Sequence, residues 1–346
     1  SSKKINKMKA NVENQIGSVK VRAKGKLGSF NIYSVNEKGK SVSVLSSLDE
    51  FTSSSFYLLA GKKVFKLSGG TEGISGAAKT DTGLRMYYAI PDVAAVAVDF
   101  SIFKSDSNTS EDMIKVTATI KSMSRKTNVF GLKLVLDTVL GEKSKYHFYN
   151  SDNKPIKSEV MYRTMQKTKW IISKNEDTSL QILLSGADIS PVDFVAVANY
   201  ETLNTVSWEP NMLTERNFDT VRSYNNSAVG INWLPTDLEP QSEVSYVFYL
   251  SLASDAYLPQ GDKYIEANTK IVDIPEEKAP VPQETVKSPV EEPVLEQKEE
   301  ITETPEEEQG KEIEYVEFTP DKAIRGEITP EYIQRILDRI ASLEEG

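Results

Sequence analysis

His147, in the run Lys145-Tyr146-His147-Phe148-Tyr149, is the only histidine of the 346-residue chain, and so the one side chain whose ordinary titration falls near neutral pH. Asp137 lies ten residues before it and Glu142 stands between them, so one loop carries an imidazole and two carboxylates, a set suited to general acid–base work. A surface histidine among aromatic neighbours is the structural alternative. With one histidine and no cysteine, the chain lacks the usual zinc ligands, a thiolate nucleophile, disulfides and iron–sulfur ligands, and no Gly-x-Ser-x-Gly elbow is present. No metal and no cofactor is therefore expected. Asp106-Ser107-Asn108-Thr109-Ser110-Glu111-Asp112 gathers oxygen ligands of the kind calcium takes, but it lacks the sixth-position glycine of an EF-hand and reads as a solvated turn. Ser68-Gly69-Gly70-Thr71-Glu72-Gly73-Ile74-Ser75-Gly76 has the glycines of a phosphate loop without the Gly-Lys-Ser/Thr ending, and reads as a flexible loop. Trp170, Trp208 and Trp233 each stand in or beside an apolar strand, where core packing competes with a role in stacking on sugars. A candidate sugar site therefore comprises Trp208, Trp233, Asp137 and His147, with Glu142 beside them.

The elements that must position these residues are strands. From Gly17 to Ala253 the hydrophobic pattern has period two, broken at intervals by turn residues. Val19, Val21 and Ala23 alternate with Lys20, Arg22 and Lys24, and Ile114, Val116, Ala118 and Ile120 alternate with Lys115, Thr117, Thr119 and Lys121. Phe56–Leu59 and Val64–Leu67 flank a compact turn at Ala60-Gly61-Lys62-Lys63, and Trp170–Ser173 and Leu180–Leu184 flank another. The pattern predicts about 14 to 18 strands, hence an all-β fold: one large two-sheet antiparallel sandwich over residues 1–274, with the Gly-rich segment near 68–83 as the candidate seam of a two-part arrangement. No apolar run is long enough to span a bilayer as a helix.

Three segments carry a family likeness: Lys115 to Glu142, Phe194–Tyr200 with Trp208, and Ser227–Pro235 leading to Leu238–Glu243. Their order is similar to that of exported bacterial β-sandwich proteins of undefined activity, distantly like the supersandwich of the galactose mutarotases. The resemblance covers roughly residues 85 to 253 and implies the fold. Mutarotase-like catalysis would imply a histidine acid paired with a carboxylate base, and with His147 alone available the fold is carried over and the activity is not.

The formal net charge of -10 belongs to the C-terminal part. Residues 275–346 hold 21 acidic and 8 basic side chains and 8 of the 15 prolines, leaving 30 acidic against 33 basic before them. Residues 275–312, rich in Pro and Glu, bury too little apolar surface to offset chain entropy and read as a disordered acidic linker. In residues 313–346, Thr329 is placed as an N-cap, Pro330 as the first helical residue, and Ile333, Ile336, Leu337, Ile340 and Leu343 as one apolar stripe of an amphipathic helix over 330–344. So short a helix is marginal alone in water, so it must lie on its own body or on a partner, with Tyr315 and Phe318 as secondary contacts.

The basic residues Lys3, Lys4, Lys7, Lys9, Lys20, Arg22, Lys24 and Lys26 lack the stacking aromatics or groove-reading element of a nucleic-acid site; they suit a charged edge or attraction to the acidic tail. The first expectation is thus a non-enzymatic structural or interaction protein of the bacterial envelope or periplasm. It would bind protein partners, or copies of itself as an oligomer, through its sandwich and tethered helix, with motility machinery as one setting. The alternative is a carbohydrate-binding or carbohydrate-modifying sandwich.

Overall fold

In a computed structural model, the structure describes residues 11–48, 51–67, 75–106, 110–144, 146–212, 218 and 226–268. The linker, the C-terminal segment with Tyr315, Phe318, Ile333, Ile336, Leu337, Ile340 and Leu343, and residues 68–74 of the 68–83 seam lie outside them.

Two large antiparallel sheets face each other, as the period-two pattern requires. The eight-stranded sheet runs β14 (Phe148–Tyr149), β16 (Trp170–Lys174), β17 (Ser179–Leu183), β21 (Glu243–Ala253), β12 (Met113–Ser122), β11 (Ala94–Phe103), β10 (Gly83–Ile90), β9 (Ser75–Lys79). The seven-stranded sheet runs β15 (Val160–Tyr162), β18 (Val192–Asn199), β19 (Ser227–Trp233), β13 (Asn128–Leu136), β7 (Ser55–Ala60), β8 (Lys63–Lys66), with β20 (Thr236–Leu238) on the near end of β13. Residues that alternate inward, among them Val96, Val98, Val116, Ala118, Ile120, Leu132, Leu134, Val195, Val197, Ile231, Phe248 and Leu250, form one contiguous buried cluster.

A four-stranded meander, β1 (Asn11–Ile16), β2 (Val19–Lys24), β3 (Ser29–Val35) and β4 (Ser41–Ser43), adds a third sheet beyond the expected two. Val19, Val21, Ala23, Phe30 and Ile32 join the common core, and the Phe30 ring lies 5.4 Å from Phe56 of one large sheet and 5.2 Å from Phe100 of the other. The Asn14 amide fastens the meander, donating to the carbonyls of Thr80 (3.0 Å) and Gly83 (2.9 Å). Gly83 has no room for a side chain, because a Cβ there would stand 1.9 Å from the Phe100 carbonyl oxygen. Gly83→Ala must therefore shift β10 against β11 and pull on the Asn14 bonds, with an expected loss of about 1–3 kcal/mol in urea denaturation. An unchanged midpoint would show that the strand pair yields without cost.

Two short hairpin strands, β5 (Ser47–Leu48) and β6 (Phe51–Thr52), connect the meander to β7. Two helices are described, α1 (Tyr200–Leu203) after β18 and α2 (Gly261–Asn268) after β21. Among the described residues no helix is long and apolar enough to cross a membrane.

Candidate functional site

Strand β13 positions the site. Leu132, Leu134 and Leu136 point into the main core, while Lys133 and Val135 take the other face of the sheet. Extended backbone continues past Leu136, where Thr138 bridges to Leu45, so Asp137 falls in the row of Lys133 and Val135. The β5–β6 hairpin holds it there: Ser46 N donates to the Asp137 carbonyl (2.8 Å), Asp137 N donates to Ser54 Oγ (3.0 Å), and Ser53 hydrogen-bonds the carboxylate. Only 7% of Asp137 is exposed, and burial pushes its carboxyl up to about 6, against the opposing pull of Ser53.

Glu142 returns to the same place after a tight turn. Gly141 makes the turn at φ +80°, in the left-handed region, with a Cβ there only 3.0 Å from the Lys174 carbonyl oxygen. Burial first, and then the charge of Asp137, push the Glu142 carboxyl up to about 7, with Lys143 pulling the other way. Tyr200 opens α1 and donates its hydroxyl to the Ser53 carbonyl (2.9 Å); burial and the Asp137 charge push its phenol up to about 12. Asp137 thus acts on the ionisation of both Glu142 and Tyr200.

His147 lies deeper. It is 1% exposed and ties the two large sheets together, its Nδ1 2.8 Å from Ser227 Oγ of β19 and its Nε2 2.7 Å from Thr138 Oγ1, which lies 2.6 Å from Ser173 Oγ of β16. Ser173 Oγ donates to the Leu140 carbonyl (3.0 Å), which can only accept. Reading back, Thr138 donates to Ser173 and His147 donates from Nε2 to Thr138, which places a proton on Nε2. The imidazole is a buried strut, stacked on Phe148 at 4.2 Å, rather than the solvent-facing histidine of the sequence alternative.

The tryptophans do not gather into one groove. Trp233 is fully buried against Tyr246 and Phe248 in the main core. Trp208, 7% exposed, covers the opposite face of the seven-stranded sheet, where its indole N–H donates to Asp193 and its ring lies on Gly131. Of the candidate sugar residues, Asp137 and Glu142 come together, and Trp208, Trp233 and His147 are occupied in packing. In the oxygen-rich turn, Asp112 is buried and accepts from Ser105 N and Oγ, both at 2.8 Å. Lys20 and Arg22 lie over the Tyr33 ring and pair with Glu13 on the outer face of the meander.

Sequence reasoning missed Tyr200, Ser53 and Lys133. Only Lys133 had a local sign, a charge in the apolar run Gly131–Leu136. It is 1% exposed, flanked by Tyr57 and Asn232 on the neighbouring strands, and donates to the carbonyls of Thr205 (2.8 Å) and Ser207 (3.0 Å). Asn232 donates to the Trp208 carbonyl (2.7 Å), and Tyr57 and Lys66 both reach Asn204. These side chains clamp residues 204–208 over the sheet.

Burial, with Lys66 adding repulsion, pushes Lys133 down to about 7. A lysine lowered on folding makes the native state bind fewer protons than the unfolded chain between that value and 10.5, so this cost to stability eases as pH rises through the window. Denaturation midpoints of the native chain are expected to rise relative to those of Lys133→Met from about pH 7 to about pH 9. Parallel curves would show that the ammonium keeps its proton under the clamp.

No protein family and no curated protein matches the sequence. Among solved structures, the chain is similar to a galactose mutarotase-like protein from Lactobacillus casei at 10% identity and a TM-score of 0.45, over 70% of this chain and 100% of that one. It is similar to a galactose mutarotase related enzyme from Lactobacillus acidophilus at 8% identity and a TM-score of 0.41, over 71% and 98%. A polysaccharide lyase aligns at 8% identity and a TM-score of 0.42 over 75% of this chain, which spans only 35% of the lyase. The expectation of a protein that is not an enzyme is corrected here: the solved structures similar to this chain include a galactose mutarotase related enzyme and a polysaccharide lyase. The structural neighbours of this chain are galactose mutarotase-like β-sandwich proteins at low sequence identity.

Proposed function

We propose that the chain acts on carbohydrate by general acid–base proton transfer, with Asp137 and Glu142 as the exchanging pair and Tyr200 as a hydroxyl at the edge of the site. The observation that carries this reading is the pair itself: two carboxyls lifted by burial, one lifted further by the other's charge. Near neutral pH such a pair holds about one proton between its members, so an acid and a base are present together. The surroundings suit a hydroxyl-rich ligand. Ser46, Ser53 and Ser54 frame Asp137.

On a reducing sugar, the ionised carboxylate takes the proton of the anomeric hydroxyl while the protonated partner gives its proton to the ring oxygen. The bond from the anomeric carbon to the ring oxygen then breaks, leaving the open-chain aldehyde. Closure on the other face of the carbonyl returns both protons, so the pair ends with the proton it began with.

The test is polarimetry on freshly dissolved α-glucose, α-galactose, mannose and xylose with the full chain. Saturable acceleration of anomer exchange supports the proposal. Saccharide binding in calorimetry without acceleration makes the protein a carbohydrate-binding module, and silence in both removes carbohydrate altogether.

A further inference from the structure

Helix α2 lies on the outer face of the eight-stranded sheet, away from Asp137. Close approach is built into the sequence there: a Cβ on Gly261 would stand 2.5 Å from Leu183, and one on Gly186 would stand 2.6 Å from Ile265 and 3.1 Å from Ile189. Glycines at both positions let helix and sheet press together, leaving between them a cavity of about 260 Å³. Its floor is apolar, from Leu183 and Ile265, and its wall is Trp170, the tryptophan that neither the main core nor the cover over the other sheet fully encloses. Lys169, Ser185, Asp262 and Glu266 stand around it, Asp262 also within 3.4 Å of the Gln181 amide.

We propose that this cavity is a second saccharide-binding site, which takes one sugar ring against Trp170 and hydrogen-bonds its hydroxyls to Asp262, Glu266 and Lys169. An indole offers an apolar surface to the C–H groups of a sugar ring, and carboxylates accept from its hydroxyls, so a wall of one kind and a rim of the other match a ligand with both characters. One positive and two negative side chains in the lining oppose an anion. The volume suits a single ring rather than a chain, which points to a site that holds one unit of a longer glycan while the rest remains in solvent. Nothing in this argument uses the Asp137 pair, so either site can fail alone.

The experiment is calorimetric titration of the full chain with maltotriose, cellotriose, mannotriose and galactotriose, with indole emission followed in parallel. Trp208 and Trp233 are buried, so a change in emission reports on Trp170. Millimolar binding of at least one trisaccharide with an emission shift is expected, weakened about tenfold or more in Trp170→Ala. The double change Asp262→Asn with Glu266→Gln should weaken it about tenfold through the lost charged acceptors, and serves if the tryptophan variant fails to fold. Asp137→Asn should leave it in place. Absence of heat with every trisaccharide overturns the proposal, as does binding that survives both sets of changes. Binding of cadaverine in place of the sugars overturns it in favour of an amine site.

Discussion

Asp137→Asn is expected to slow anomer exchange by about 10²–10⁴-fold, with the loss in kcat rather than KM. Asparagine keeps the shape and the hydrogen bond with Ser53 but can neither take a proton nor share one with Glu142. A second consequence follows from the same electrostatics. With the Asp137 charge gone, Glu142 loses one of the two causes that raise it and should titrate below its native value of about 7, which carboxyl NMR can follow. The pH–rate profile of the native chain should be a narrow bell, its limbs belonging to the pair rather than to either residue.

Stability carries the same signature with a definite sign. Both carboxyls are raised on folding, so their contribution is fully present below the ordinary carboxylate range and is lost as pH rises through about 6 and then about 7. The native chain should lose stability across that interval, and Asp137→Asn should flatten the loss. An unchanged rate together with an unchanged pH slope would remove the pair from any acid–base role.

His147→Ala is expected to cost about 3–5 kcal/mol, the largest stability effect among these changes. Truncation opens a cavity between the sheets and deprives the Ser227 and Thr138 hydroxyls of the ring nitrogens they face. His147→Gln, which restores a polar group near the Thr138 end, should recover part of the loss. Urea denaturation with an unchanged m-value measures both. Anomer exchange per folded molecule should survive each substitution, whereas a histidine acid would lose activity before stability. A loss below about 1 kcal/mol in His147→Ala would show that the hydroxyls find other partners without it.

Much of this architecture was legible from local order. Alternation in residues 19–24 and 114–121 placed strands and their inward faces correctly, because a side-chain period of two needs no knowledge of the partner strand. The chain order did not disclose that β21 lies between β12 and β17, or that an N-terminal meander sends Phe30 between the two large sheets. Pairings of that kind depend on which distant strands share an edge.

The site divides in the same way. Asp137 and Glu142 are five residues apart, and together with His147 their types and spacing marked a loop suited to acid–base work. Tertiary structure decided that His147 would be a strut rather than an acid, that Trp208 and Trp233 would be packing groups, that Ser53 would bond the Asp137 carboxylate, and that Tyr200 would come near enough to feel its charge. The reason is burial. Residue type sets what a group can do in water, whereas the number of apolar atoms and charges folded around it sets which protonation state it holds and whether a ligand can reach it.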